Sequence, residues 1–89
     1  MPFIHFTAHL RSIVAASPVA AEGADVRIAL RGVFDSHPRL EGYVLDERGA
    51  LRRHVCIFVD GEKLPNDRAL DAPLARASEV YVMQALSGG

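Results

Sequence analysis

The chain has little that would tie it to a membrane, a metal or an oxidising compartment. Among its 89 residues is one cysteine, Cys56, so no internal disulfide can form, which agrees with a reducing compartment. Tryptophan is absent, and Lys63 is the only lysine beside the arginines. No apolar run approaches the roughly 18 residues of a membrane span. The start, Met1-Pro2-Phe3-Ile4-His5, lacks the basic segment and long apolar core of a secretory signal, so a cytoplasmic location is expected. A formal charge of -1 gives no electrostatic case for nucleic acid or an anionic membrane as partner. There is no glycine-rich phosphate loop and no serine nucleophile elbow. His5, His9, His37 and His54 match no compact ligand spacing, so no metal site is expected. Asp46 and Glu47 are adjacent, but they sit in a turn signal with no nucleophile nearby and read as solvated charges. The chain alone is not expected to be an enzyme.

What is present is the composition of one globular domain, 49% hydrophobic and 24% charged, large enough for a single modest core. Ile4 and Phe6 alternate with His5 and Thr7 as in a half-buried strand, and the alternation breaks near Ala8. Ala15-Ala16-Ser17-Pro18 reads as a turn, and Val19 to Glu22 as a short strand bounded by Gly23. From Asp25 to Ser36 the period becomes helical. Val26, Ala29, Leu30, Val33 and Phe34 form an apolar stripe, Asp25 suits the positive end of the helix dipole, and Pro38 closes the pattern. Leu40 to Leu51 is mixed, with Asp46-Glu47-Arg48-Gly49 as an exposed turn.

Val55-Cys56-Ile57-Phe58-Val59 is apolar throughout and predicts a central strand. Asp60-Gly61 follows as a two-residue hairpin signal, with Glu62-Lys63-Leu64 returning. Pro65 to Arg76 is a surface connection pinned by Leu70 and the Pro73-Leu74 pair. The last strand starts near Val80 and is expected to be extended, largely buried and beside the first strand. The expected class is α+β, a mixed four- to five-stranded sheet with one main helix packed across one face. Residues 1–86 make the domain, and 87–89, Ser87-Gly88-Gly89, a flexible tail.

That tail is the stretch on which the rest is organised. The glycines follow an apolar strand directly, without the polar spacer of a linker. An end free of side chains can thread a narrow channel and present its α-carboxylate to a partner's active site.

Three stretches resemble the MoaD/ThiS family of sulfur-carrier proteins, ubiquitin-like β-grasp domains that end in Gly-Gly. They are Asp25-Val26-Arg27-Ile28-Ala29-Leu30 through His37-Pro38-Arg39-Leu40, the hairpin His54 to Glu62, and Glu79-Val80-Tyr81-Val82 through Gly88-Gly89. With Leu70-Asp71-Ala72-Pro73-Leu74 they cover most of the chain in the right order. The resemblance implies a carrier: a ubiquitin-activating-type enzyme uses ATP to adenylate Gly89, with Gly88 allowing close approach, and a sulfur donor converts the adenylate to a thiocarboxylate. A sulfur-accepting enzyme then takes the sulfur into a cofactor, an amino acid or tRNA. No cofactor is bound by the chain itself; ATP belongs to the activating partner. Leu86 and Ser87, at the root of the tail, are expected to touch that partner. The family often has Gly-Asp before the last strand and proline early in the tail. Here stand Ala75-Arg76-Ala77-Ser78-Glu79 and Met83-Gln84-Ala85-Leu86-Ser87, so the branch is left unassigned.

If Val55, Ile57 and Val59 face the helix, Cys56 and Phe58 lie on the opposite sheet face. An apolar patch there points to docking of a partner. Cys56 reads as a small hydrophobe beside an aromatic ring rather than a reactive thiol, because no sequence neighbour obviously lowers its pKa. Two readings stand: the sulfur carrier, with a lysine-linked modifier as its variant, and a non-catalytic β-grasp interaction module or small subunit that binds through its sheet face.

Overall fold

The structure, a computed structural model, describes residues 1–14 and 17–84, and for Ala8 and His9 the backbone alone. The elements run β1 (Phe3–Phe6), β2 (Val19–Ala20), α1 (Val26–Ser36), α2 (Pro38–Val44), β3 (Val55–Val59), β4 (Glu62–Lys63) and β5 (Glu79–Gln84). Short 3-10 helices lie at Ala8–Ser12 and Ala69–Asp71. The five strands form one mixed sheet in the order β2-β1-β5-β3-β4. The expected α+β class is borne out.

Helix α1 forms where its stripe predicts. Asp25 is its N-cap, and its Oδ1 accepts the Ile28 amide at 2.9 Å, which satisfies one of the free donors of the first turn. The buried residues are Val26, Ala29, Leu30, Val33 and Phe34, the whole predicted stripe. Burial of each of the larger ones contributes about 1.5–3 kcal/mol, which sets packing above intrinsic propensity as the reason for the helix. They rest on Ile4 and Phe6 of β1, Val80 and Val82 of β5, and Val55 and Ile57 of β3, all within one core. Leu10 and Val14, beyond the break at Ala8, close one end of it.

One helix is missing from the sequence expectation. His37 ends α1 with extended-type φ and ψ of -135° and 74°, as the following proline requires, but Pro38 then serves as the first residue of α2. Leu40 and Val44 of α2 are fully buried. The seven residues of α2 offer only those two buried positions, too few for a period to emerge from the sequence.

The hairpin is as predicted. Asp60 and Gly61 have φ of 51° and 86°, the left-handed pair of a tight turn, and Val59 sits opposite Glu62. Asp60 also caps β5: its Oδ1 accepts the Glu79 amide at 2.9 Å, and its own amide donates to the Glu79 carbonyl. Before β5, in place of a Gly-Asp turn, buried Ser78 accepts the Ala75 amide on its hydroxyl at 2.8 Å. Leu74 pins the preceding loop by donating its amide to Ala24, and Leu70 is buried as expected. The expected turn before β2 is described only at Ser17-Pro18, a cis peptide; Ala15 and Ala16 lie outside the described residues.

Strand β5 is central, beside β1 as expected, and β3 is an interior strand next to it. One detail refines the expectation of a largely buried last strand, since β5 is buried on one face only: Val80 and Val82 are fully enclosed, whereas Tyr81 between them is 38% exposed. A strand covered by helices on a single side must alternate, even where its outward residues are apolar.

Candidate functional site: the uncovered sheet face and the end of β5

Strand β5 lies between β1, to which it is parallel, and β3, to which it is antiparallel. It is therefore hydrogen-bonded along both edges, and the chain beyond Gln84 starts from a fixed base. Leu86, Ser87, Gly88 and Gly89 lie outside the described residues. The site that can be built from side chains is the sheet face that β5 shares with β1 and β3.

Strand register assembles that face. Residues opposite one another in neighbouring strands project to the same side. His5 of β1 lies opposite Tyr81 of β5, Tyr81 opposite Phe58 of β3, and Phe58 opposite Lys63 of β4. One step toward the end of β5, Met83 lies opposite Cys56. One step toward its start, Glu79 lies opposite Phe3, which is 42% exposed. Cys56 and Phe58 thus occupy the outer face, half-buried, as their alternation with Val55 and Ile57 predicts. Sequence reasoning missed His5, Tyr81 and Met83. The same alternation rule, applied to Val80 and Val82, would have found Tyr81 and Met83; His5 was already set on the side opposite Ile4 and Phe6 but not connected to the site.

The centre of the face is held rigid. The His5 and Tyr81 rings are stacked, with centroids 4.2 Å apart and planes at 7°. His5 Nε2 lies 2.6 Å from Glu79 Oε1 and donates to it, which fixes the imidazole in the stacked orientation. The outcome is an aromatic and sulfur-bearing floor that crosses three strands with no helix over it.

The opposite side of the molecule carries another depression, where Ile28, Leu30, Phe34, Leu45 and Leu70 lie between two ion pairs. Arg31 grips Glu41 through two bonds of 3.2 and 2.7 Å, and Arg27 reaches Asp71 at 3.1 Å. The Arg31 guanidinium holds the Glu41 carboxyl below the usual carboxylate range. This depression is on the helix side and shares no residue with the strand-end face. Among the described residues no group of three His, Cys, Asp or Glu is placed to hold a metal ion, and no helix is long and apolar enough to cross a membrane.

No family model and no curated protein matches the sequence. Solved structures do match. SAMP1 from Haloferax volcanii aligns over 99% of this chain and 98% of its own, at 28% identity and a TM-score of 0.78. A chain of the Amycolatopsis orientalis BexX/CysO complex aligns over 100% of both chains, at 21% identity and a TM-score of 0.86. Mycobacterium tuberculosis CysO aligns over 97% of this chain and 100% of its own, at 19% identity and a TM-score of 0.83. The agreement runs over the length of each chain. The chain therefore has the ubiquitin-like β-grasp fold, the fold that its resemblance to the MoaD/ThiS family implies.

Proposed function

We propose that the protein is a sulfur carrier, with Gly89 as the residue that is activated and loaded. The observation that carries this reading is the conjunction of a doubly hydrogen-bonded central β5 with a Gly-Gly end five residues beyond its last described position. A rigid base with an extension that ends in two residues without side chains suits a cargo-bearing arm. The neighbours support the choice: the archaeal match is a small modifier protein by name, and the Amycolatopsis match was solved in complex with BexX.

The chemistry requires no catalytic group from this chain. A carboxylate is a poor electrophile, so one of its oxygens attacks the α-phosphorus of ATP in the partner's site, and pyrophosphate leaves. The acyl-adenylate carbon then accepts a sulfur nucleophile at the sulfide level, AMP departs, and Gly89 ends as a thiocarboxylate. Gly88 and Gly89 permit the close backbone approach that this site needs, and Leu86 and Ser87 line its entrance. The outer face around Cys56, Phe58 and Tyr81 rests on the adenylating partner and afterwards on the sulfur acceptor. A protein-modifier role, in which Gly89 is joined to a lysine, uses the same activation step. A purely non-catalytic module uses the face and not the tail.

The test is the intact mass of the protein from its own host, purified without added thiols and fragmented to locate any change. The expected result is a fraction heavier by the difference between one sulfur and one oxygen, placed at Gly89. A chain lacking Gly88 and Gly89 is expected to fold and to show no such fraction. An unmodified terminus, together with no adenylation by the host's activating enzyme and ATP, overturns the carrier reading and leaves the module.

A further inference from the structure

The apolar floor of the outer face explains adhesion but not direction, since apolar contact alone accepts a partner in several rotations. The charges around that floor are unevenly placed. The Thr7 amide donates to the Val82 carbonyl, so the Ala8–Ser12 segment begins beside the far end of β5 and touches it. Its Arg11 is exposed and lines a shallow depression together with His5, Thr7 and Tyr81. Across the strand, the pairing of Val55 with Gln84 puts Arg53, two residues before Val55, at the same end on the other side. Arg53 is exposed as well.

These two guanidinium groups have no carboxylate partner among the described residues. Arg27 and Arg31 are paired with Asp71 and Glu41, and Arg52 donates its Nε to the Gly42 carbonyl; Arg39, Arg48, Arg68 and Arg76 are likewise without an ion pair among the described residues, so it is position beside the end of β5 that sets Arg11 and Arg53 apart. At the start of β5 stand Glu79 and Asp60, with Glu62 of β4 beyond them. The separation has exceptions: Arg76 and Lys63, the latter next to Glu62, lie near the acidic end, and Asp67 follows Asn66, whose side chain donates to the Val55 carbonyl. Six residues of strand separate the two ends by about 17 Å. That is about twice the screening length of roughly 8 Å at physiological salt, so a docked surface meets the two ends as separate charges.

We infer that Arg11 and Arg53, on either side of the root of the tail, dock an acidic protein surface that surrounds the partner's channel, and so set the rotation in which the tail enters it. This rests on the carrier reading. Rim charges of this kind act on encounter and register more than on the chemical step, and their effect falls with salt.

The experiment is ATP–pyrophosphate exchange by the adenylating enzyme of the same genome, with the full chain as substrate at several salt concentrations. The double variant R11E/R53E is expected to raise KM about tenfold with kcat within about twofold, and to lose most of the salt dependence seen with the unaltered chain. R76E makes the same change of charge per substitution far from the root and is expected to leave KM unchanged. R11A/R53A, which removes charge without reversing it, is expected to raise KM less, and it serves if the reversed variant fails to fold. An unchanged KM in both double variants, or an equal rise in R76E, overturns the inference while leaving the carrier reading intact. No exchange with the unaltered chain overturns both.

Discussion

At the scale of single residues, the tightest constraint found is Gly23, in the link from β2 to α1. A Cβ at that position would stand 2.5 Å from the Ala29 backbone nitrogen and 2.9 Å from its Cα. The obstacle is helix backbone, which cannot rotate aside, and Ala29 is itself fully buried. Gly23→Ala is therefore expected to cost about 1–3 kcal/mol, read as a lower urea midpoint, without altering the outer sheet face. A midpoint equal to that of the unaltered chain would mean that the link relaxes freely. The sequence marks Gly23 only as a boundary. The need for a glycine there arises from an approach between segments that no local pattern encodes, whereas the need at Gly61 follows from the Asp60-Gly61 turn signal itself.

At the scale of elements, legibility tracked length and period. The stripe of α1, the apolar run of β3 and the hairpin were all readable, because each satisfies its own geometry within a few residues. Helix α2 was not. Its Pro38 reads as the end of the α1 pattern, and Leu40 and Val44 as part of a mixed stretch. Its stability comes from tertiary burial: Leu40 has no exposed surface, and the Arg31–Glu41 pair ties α2 to α1. Leu40→Ala is expected to cost about 2–5 kcal/mol, as for other large-to-small changes in a closed core. Thermal or denaturant unfolding would measure it, and a loss under about 1 kcal/mol would show that α2 is dispensable to the core. For β5 the expectation of a largely buried strand holds for one face, where Val80 and Val82 are enclosed, and not for the other, where Tyr81 is 38% exposed and Met83 half-buried.

At the scale of the whole molecule, the candidate site was legible in two parts and joined by the fold. Cys56 and Phe58 were placed by alternation, and Gly88-Gly89 stood at the end of the sequence. The sequence also placed the last strand beside the first; what it did not supply was the register that sets His5, Tyr81 and Phe58 side by side across three strands. The same long-range view applies to acid stability. Glu41 is held down by the Arg31 guanidinium, and Asp46 by the backbone amides of Ala50 and Arg48, so both bind protons more weakly folded than unfolded. Their contribution is complete above the ordinary carboxylate value of about 4 and is lost as pH falls below it. The urea midpoint is expected to hold from pH 7 to pH 5 and to decline below about pH 4, with a shallower decline in Asp46→Asn. A midpoint constant to pH 2 would contradict this.

The position of β5 also has a mechanical meaning. Residue Phe3 enters β1 level with Glu79, while the far end of β5 points away from it along a parallel neighbour. Tension between the first residues and the far end of β5 therefore slides the two strands lengthwise, and their hydrogen bonds must yield together rather than one after another. A machine that grips this molecule by its tail pulls along the direction in which the sheet is hardest to tear.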